Sequence, residues 1–128
     1  MERTRVSSGT PWETVVGYSR AVRVGPFVAV SGTTATDEEG KLVGRGDPYA
    51  QAVRALRNVE AALVGAGARL EDVVRTRVYV IDIDHWREVG RAHSQVFGRV
   101  RPASTMVEVS RLVDPDMLVE IEADAVIG

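Results

Sequence analysis

The sequence predicts an α+β fold: one mixed β-sheet with two helices packed on one face. Three observations lead there. Two segments carry apolar residues at helical spacing, while six others are β-rich or alternating, in the order β-β-β-α-β-α-β-β. Strands alternate with helices in mid-chain, whereas turn-type residues join strands near both ends. The 128 residues hold no low-complexity stretch, long charge run or repeat, so they read as one domain spanning 1–128.

Arg3 to Ser7 is a short alternating strand. Tyr18 to Val24 alternates, with Arg20, Val22 and Val24 on one face and Ser19, Ala21 and Arg23 on the other. Gly25-Pro26 turns the chain into the β-rich run Phe27 to Ser31. Thr33 to Pro48 is polar and glycine-rich, a surface loop with one short extended piece at Leu42-Val43. Asp47 then caps a helix that has Pro48 in its first turn. Ala52, Ala55-Leu56, Val59 and Ala62-Leu63 form its apolar stripe, and Gly65 and Gly67 end it. Val73 to Val80 is a strand with Arg75, Arg77 and Tyr79 on one face. Asp84 caps a second helix, to about Gly98, with Trp86, Val89, His93 and Val96-Phe97 on one stripe. Thr105 to Val109 and Leu118 to Ile127 are the closing strands, separated by a turn at Asp114-Pro115-Asp116.

Composition excludes several function classes. Lys+Arg number 16 against 18 Asp+Glu, a net charge of −2, which lacks the basic excess of a nucleic-acid-binding surface. With no cysteine there is no disulfide, thiolate zinc site or cysteine nucleophile. The two histidines, His85 and His93, lack metal-ligand spacing, so no metal is expected. No apolar run is long enough to span a membrane, and Met1 to Arg5 leads into no apolar signal region, so the expected compartment is the cytoplasm. Lys41 is the single lysine beside 15 arginines, each able to grip an anion bidentately.

One layer of helices leaves the other sheet face bare. The pleat is expected to put Val119, Ile121, Ala123, Ala125 and Ile127 on the helix side and Leu118, Glu120, Glu122, Asp124 and Val126 opposite. Glu108 and Met106 are expected on that bare face, with Arg75, Arg77 and Tyr79. Such a face is either solvated and laced with weak ion pairs or buried by self-association.

Several stretches resemble the Rid family (reactive intermediate deaminase, also called YjgF). They are Tyr18-Ser19-Arg20-Ala21-Val22, Val24-Gly25, Val30-Ser31-Gly32, the helix from Gln51-Ala52 to Asn58-Val59, Ala66-Gly67, and Val73 to Val80 with Asp82. The most specific are Arg101-Pro102-Ala103-Ser104-Thr105-Met106-Val107-Glu108-Val109 and Val119-Glu120-Ile121-Glu122-Ala123. The resemblance implies a chorismate-mutase-like fold and a homotrimer with three clefts between neighbouring subunits. It also implies hydrolysis of small imines and enamines such as 2-aminoacrylate, releasing ammonia without a metal or organic cofactor.

Carried over by residue, the resemblance makes Glu120 the catalytic group that directs water. Tyr18, Ser31 and Gly32 line the cleft, with His93 at a position often held by an aromatic and Met106 where cysteine is common. Gly90 stands where asparagine is frequent. The arginine that grips the substrate carboxylate is absent: its position is Ser104, which, like Thr105, offers only a hydroxyl. A serine cannot replace a bidentate guanidinium, so standard 2-aminoacrylate or 2-iminopropanoate deamination is not expected unless Arg77 or Arg101 substitutes. Glu120 has two open readings, a general base or a structural ion pair with Arg75 or Arg77. His93 is either a core histidine or an acid/base group in the cleft. The cleft itself either hydrolyses an imine-type metabolite or binds and senses a small molecule without chemistry.

Overall fold

The computed structural model describes all residues, 1–128. Its strands are β1 (Arg3–Val6), β2 (Ala21–Val24), β3 (Phe27–Thr33), β4 (Val73–Val80), β5 (Ala103–Glu108) and β6 (Val119–Val126). Its helices are α1 (Pro11–Val16), α2 (Pro48–Gly65) and α3 (Trp86–Phe97), with 3₁₀ turns at Leu70–Asp72 and Ile83–His85. The six strands form one sheet in the order β1-β2-β3-β6-β4-β5. β4 and β5 are parallel, and every other neighbouring pair is antiparallel. The last strand of the chain thus inserts between β3 and β4.

α2 and α3 pack on one face of this sheet and on each other. Ala52, Ala55, Leu56, Val59, Ala62 and Leu63 of α2 meet Val28, Val30, Ile121, Ala123 and Ala125 in the core; Val89, Ala92 and Phe97 of α3 close it over Val78 and Val80. Burying each such Val, Leu or Phe side chain stabilises by about 1.5–3 kcal/mol. Asp47 caps α2 by accepting from the Ala50 amide at 3.0 Å, one position before Pro48.

Three local expectations are corrected. α1 was not expected: it is six residues long, too short to show periodicity. Its signals are Thr10 before Pro11, Glu13 in the first turn, and Gly17 at φ 89° beyond the end, where a side chain would be strained. β2 therefore begins at Ala21, and Tyr18 lies in the link from α1. The second long helix starts at Trp86 rather than Asp84, because Asp82 accepts from the Asp84 amide at 2.9 Å and first closes a 3₁₀ turn.

The third correction is the facing of β5. It runs parallel to β4 with Thr76 opposite Ser104, Val78 opposite Met106 and Val80 opposite Glu108. Thr76, Val78 and Val80 are buried on the helix side. Ser104, Met106 and Glu108 share that side, and Thr105 and Val107 stand on the bare face. Met106 packs against the core. The pattern within β5 is too weakly apolar to set its facing without its partner.

Gln51 is wholly buried yet fully used. Its amide nitrogen donates to the carbonyls of Gly44 at 3.2 Å and Asp116 at 3.0 Å, and its oxygen accepts from the Leu118 amide at 2.8 Å. It ties both long loops to the start of β6. Gln51→Leu leaves three half-buried backbone groups without their partner, and urea unfolding is expected to show a loss of about 2–4 kcal/mol.

Candidate active site

The site grows from an irregularity in β3. Its register with β6 shifts between Val30 and Thr33, and Gly32 sits inside that shift. Glu120 leaves β6 between buried Val119 and Ile121, so its side chain projects away from the core. It lies so close to Gly32 that a Cβ there would collide with its carboxyl. Glycine alone allows this approach.

Arg77, Glu122 and Asp124 of this face satisfy one another, while Arg75 is exposed and pairs with none of them. Arg77 Nη1 lies 3.1 Å from Asp124 Oδ2 and 3.8 Å from Glu122 Oε1, and the Tyr79 hydroxyl donates to Glu122 at 2.6 Å. Glu120 joins none of these contacts. Half-buried, it makes neither hydrogen bond nor ion pair with its own chain, so the pairing with Arg75 or Arg77 that the sequence left open does not form. Burial pushes its carboxyl above the ordinary glutamate value; the nearby Arg20 charge opposes the shift and Glu122 adds to it.

Arg20 builds the adjoining wall. Its side chain is nearly buried, and Nη1 donates to the Gly32 carbonyl at 2.6 Å and to Thr33 Oγ1 at 2.9 Å. Nη2 donates to the Tyr18 hydroxyl at 3.1 Å. Glu13 of α1 is its counter-ion, at 3.9 Å from Nε. Burial opposes the charge of Glu13, but hydrogen bonds from Ser8, Ser7 and Thr10 outweigh it and hold the carboxyl below its ordinary value. Arg20 and Thr33, with Trp12 of α1 and Asn58 of α2, line a cleft of about 310 Å³ that contains Tyr18, Gly32 and Glu120. Ser31 does not line it. Its hydroxyl donates to the Ser19 carbonyl at 2.6 Å and fastens the link that carries Tyr18.

His93 and Ser104 come together elsewhere on the chain. Thr76 Oγ1 lies 2.8 Å from both His93 Nε2 and Ser104 Oγ, beneath α3. The His93 ring packs on Phe97 with centroids 4.9 Å apart, and burial lowers its pKa. Stability from keeping His93 neutral is therefore present above the ordinary imidazole value and lost as pH falls through its lowered folded value. Thermal unfolding across pH is expected to show that acid-side loss in the wild type and a smaller one in His93→Gln. Thr105 is on the opposite face, beside Arg77. Arg101 is exposed at φ 54°, just before β5, and is not among the cleft residues; Arg77 is taken by Asp124 and Glu122.

One chain thus brings together Tyr18, Gly32 and Glu120 on one side and His93 and Ser104 on the other. Sequence reasoning passed over Arg20, Trp12 and Thr76. Arg20 carries no sequence signal beyond its place in an alternating strand; Thr76 becomes visible only once the register of β4 and β5 is known.

The endoribonuclease L-PSP family model matches residues 10–127. A solved YjgF-family structure from Mycobacterium tuberculosis superposes with a TM-score of 0.90 at 56% identity, covering 98% of this chain and all of that one. A RutC family protein of Pyrococcus abyssi is 41% identical over 84% of each chain. The 2-iminobutanoate/2-iminopropanoate deaminase of Salmonella typhimurium is 33% identical over 98% of each.

Proposed function

The chain belongs to the endoribonuclease L-PSP (YjgF/RutC) family, and we propose that it is a homotrimer whose inter-subunit clefts bind a small molecule and hydrolyse an imine or enamine, with release of ammonia. The observation that carries this reading is Glu120: a half-buried carboxyl, free of partners from its own chain, held against Gly32 in a cleft. The 33% identity to a named imine deaminase supports the reaction class.

The chemistry follows from that carboxylate. Ionised Glu120 takes a proton from water as the water oxygen bonds to the C=N carbon and the π pair moves to nitrogen. Glu120 returns that proton to nitrogen, giving the neutral carbinolamine; it then takes the carbinolamine hydroxyl proton and delivers it to the amine as C=O forms and the C–N bond breaks, so ammonia and a carbonyl product leave and Glu120 is ionised again. An enamine enters by tautomerising to its imine. The buried charge of Arg20 partly offsets the desolvation that raises the Glu120 pKa.

Assembly completes the cleft. Glu120 and Ser104 lie on opposite faces of one sheet, so one ligand meets both only if they come from two copies. The bare face carries exposed Phe27, Val107 and Val126 beside its paired charges, a composition suited to burial against further copies. Mass measurement at micromolar concentration is expected to give about three times 13.9 kDa; a stable monomer contradicts the assembled cleft.

The substrate end is not a carboxylate held by the family's arginine, because that position is Ser104. Ammonia release from 2-iminopropanoate, generated in situ, is therefore expected to be weak, and release from uncharged imines stronger. Robust release from 2-iminopropanoate contradicts this specificity. The missing anchor also favours a second reading, in which the cleft binds an uncharged metabolite without turnover. A ligand that raises the melting temperature yet gives no product would establish it. RNA is not part of the proposal: the chain carries a net charge of −2, and Asp37, Glu38 and Glu120 line the cleft.

A further inference from the structure

Beneath α3, Ser104, Thr76 and His93 form a chain of three polar groups in an otherwise apolar layer. Thr76 is fully buried, yet its hydroxyl lies 2.8 Å from His93 Nε2 on one side and 2.8 Å from Ser104 Oγ on the other. Ser104 is exposed at the outer end, and His93 is half-buried against Phe97 at the inner end. No ion pair involves any of the three; the nearest charged groups of β4, Arg75 and Arg77, point to the opposite face.

The geometry restricts this chain to two states. Thr76 has one hydroxyl proton, so it donates to one neighbour and accepts from the other. When Nε2 carries hydrogen, the bonds run from His93 through Thr76 to Ser104. When Nε2 is bare, they run from Ser104 through Thr76 to His93. Burial favours the neutral imidazole, and either state is open to it according to which ring nitrogen carries the proton.

We infer that Ser104, Thr76 and His93 are a hydrogen-bond relay whose outer oxygen accepts from an N–H or O–H group of an uncharged ligand, which turns the Ser104 and Thr76 protons inward and makes His93 Nε2 the acceptor. The ligand keeps its proton and donates it as a hydrogen bond to Ser104 Oγ, Ser104 donates to Thr76 Oγ1, and Thr76 donates to His93 Nε2. The imidazole stays neutral, as burial favours, with its own proton on Nδ1. A fixed cation at position 104 would select a carboxylate; the relay selects a neutral, proton-bearing group such as an amide or amine. This rests on the cleft reading only in placing a ligand beside Ser104.

The test is the ¹⁵N resonance of His93 Nε2 during titration with pyruvamide, and with pyruvate as the carboxylate counterpart of the same shape. Pyruvamide is expected to shift the resonance in the wild type and pyruvate to leave it in place. Thr76→Val, which keeps the buried shape, and the exposed Ser104→Ala are each expected to abolish the shift while the Gly32 amide still responds to pyruvamide. An equal shift with pyruvate, a shift surviving in both variants, or no shift in the wild type overturns the relay. A silent Gly32 amide beside a responsive His93 removes the Glu120 cleft instead and leaves the relay standing.

Discussion

Glu120→Gln is expected to lower kcat for the imine that the wild type hydrolyses by about 10²-fold or more, without loss of stability. The amide keeps the size of the side chain but cannot take a proton from water. Its effect on stability has the opposite sign to that of most buried substitutions. Burial raises the folded pKa of Glu120 above its unfolded value, so the folded chain binds that proton more tightly. The stabilisation this provides is present below the unfolded value and is lost as pH rises through the folded one. Above the folded value the ionised, unpaired carboxylate therefore weighs against folding. Glutamine removes that penalty, and thermal unfolding at a pH above the Glu120 ionisation is expected to show an unchanged or higher midpoint. Lost turnover with preserved stability separates a catalytic carboxylate from a structural one.

Gly32→Ala is expected to lower turnover by roughly 10²-fold, the scale of effect that follows an ångström's misplacement of a reacting group. The new methyl meets the Glu120 carboxyl, the far end of a flexible side chain, rather than backbone. The carboxyl can swing away, so the sheet is kept while the alignment is lost. Circular dichroism and unfolding curves close to wild type are expected to accompany the lost turnover. A double variant with Glu120→Gln is expected to add little further, because both changes remove the same positioned group.

Much of the fold was legible because the core is repetitive. The alanine-rich stripe of α2 and the alternation of Val119, Ile121, Ala123 and Ala125 each specify one buried face. Asp47-Pro48 marked the start of α2 for a plain steric and capping reason. β5 was not legible: Ser104, Met106 and Glu108 are too mixed in polarity to declare a face, and pairing with β4 decides it. α1 escaped because six residues cannot display a helical period.

The candidate site divides along the same line. Glu120 and Gly32 stood out through resemblance, and the structure supplies what resemblance cannot: that their close approach excludes a Cβ and leaves the carboxyl unpaired. Arg20 was read as one position of an alternating strand. Its role depends on the bulge that turns the Gly32 carbonyl and Thr33 hydroxyl toward it, and on Glu13 in the unforeseen helix. Long-range contacts of this kind leave no periodic trace in a sequence.

The most direct measurement is the pH dependence of kcat/KM for ammonia release from a turned-over imine, in wild type and in Glu120→Gln. A general-base carboxylate predicts a wild-type rate that rises with pH through one ionisation above the ordinary glutamate value, and a Glu120→Gln profile that is low and lacks that step. The same step and the same rate in both proteins would contradict it.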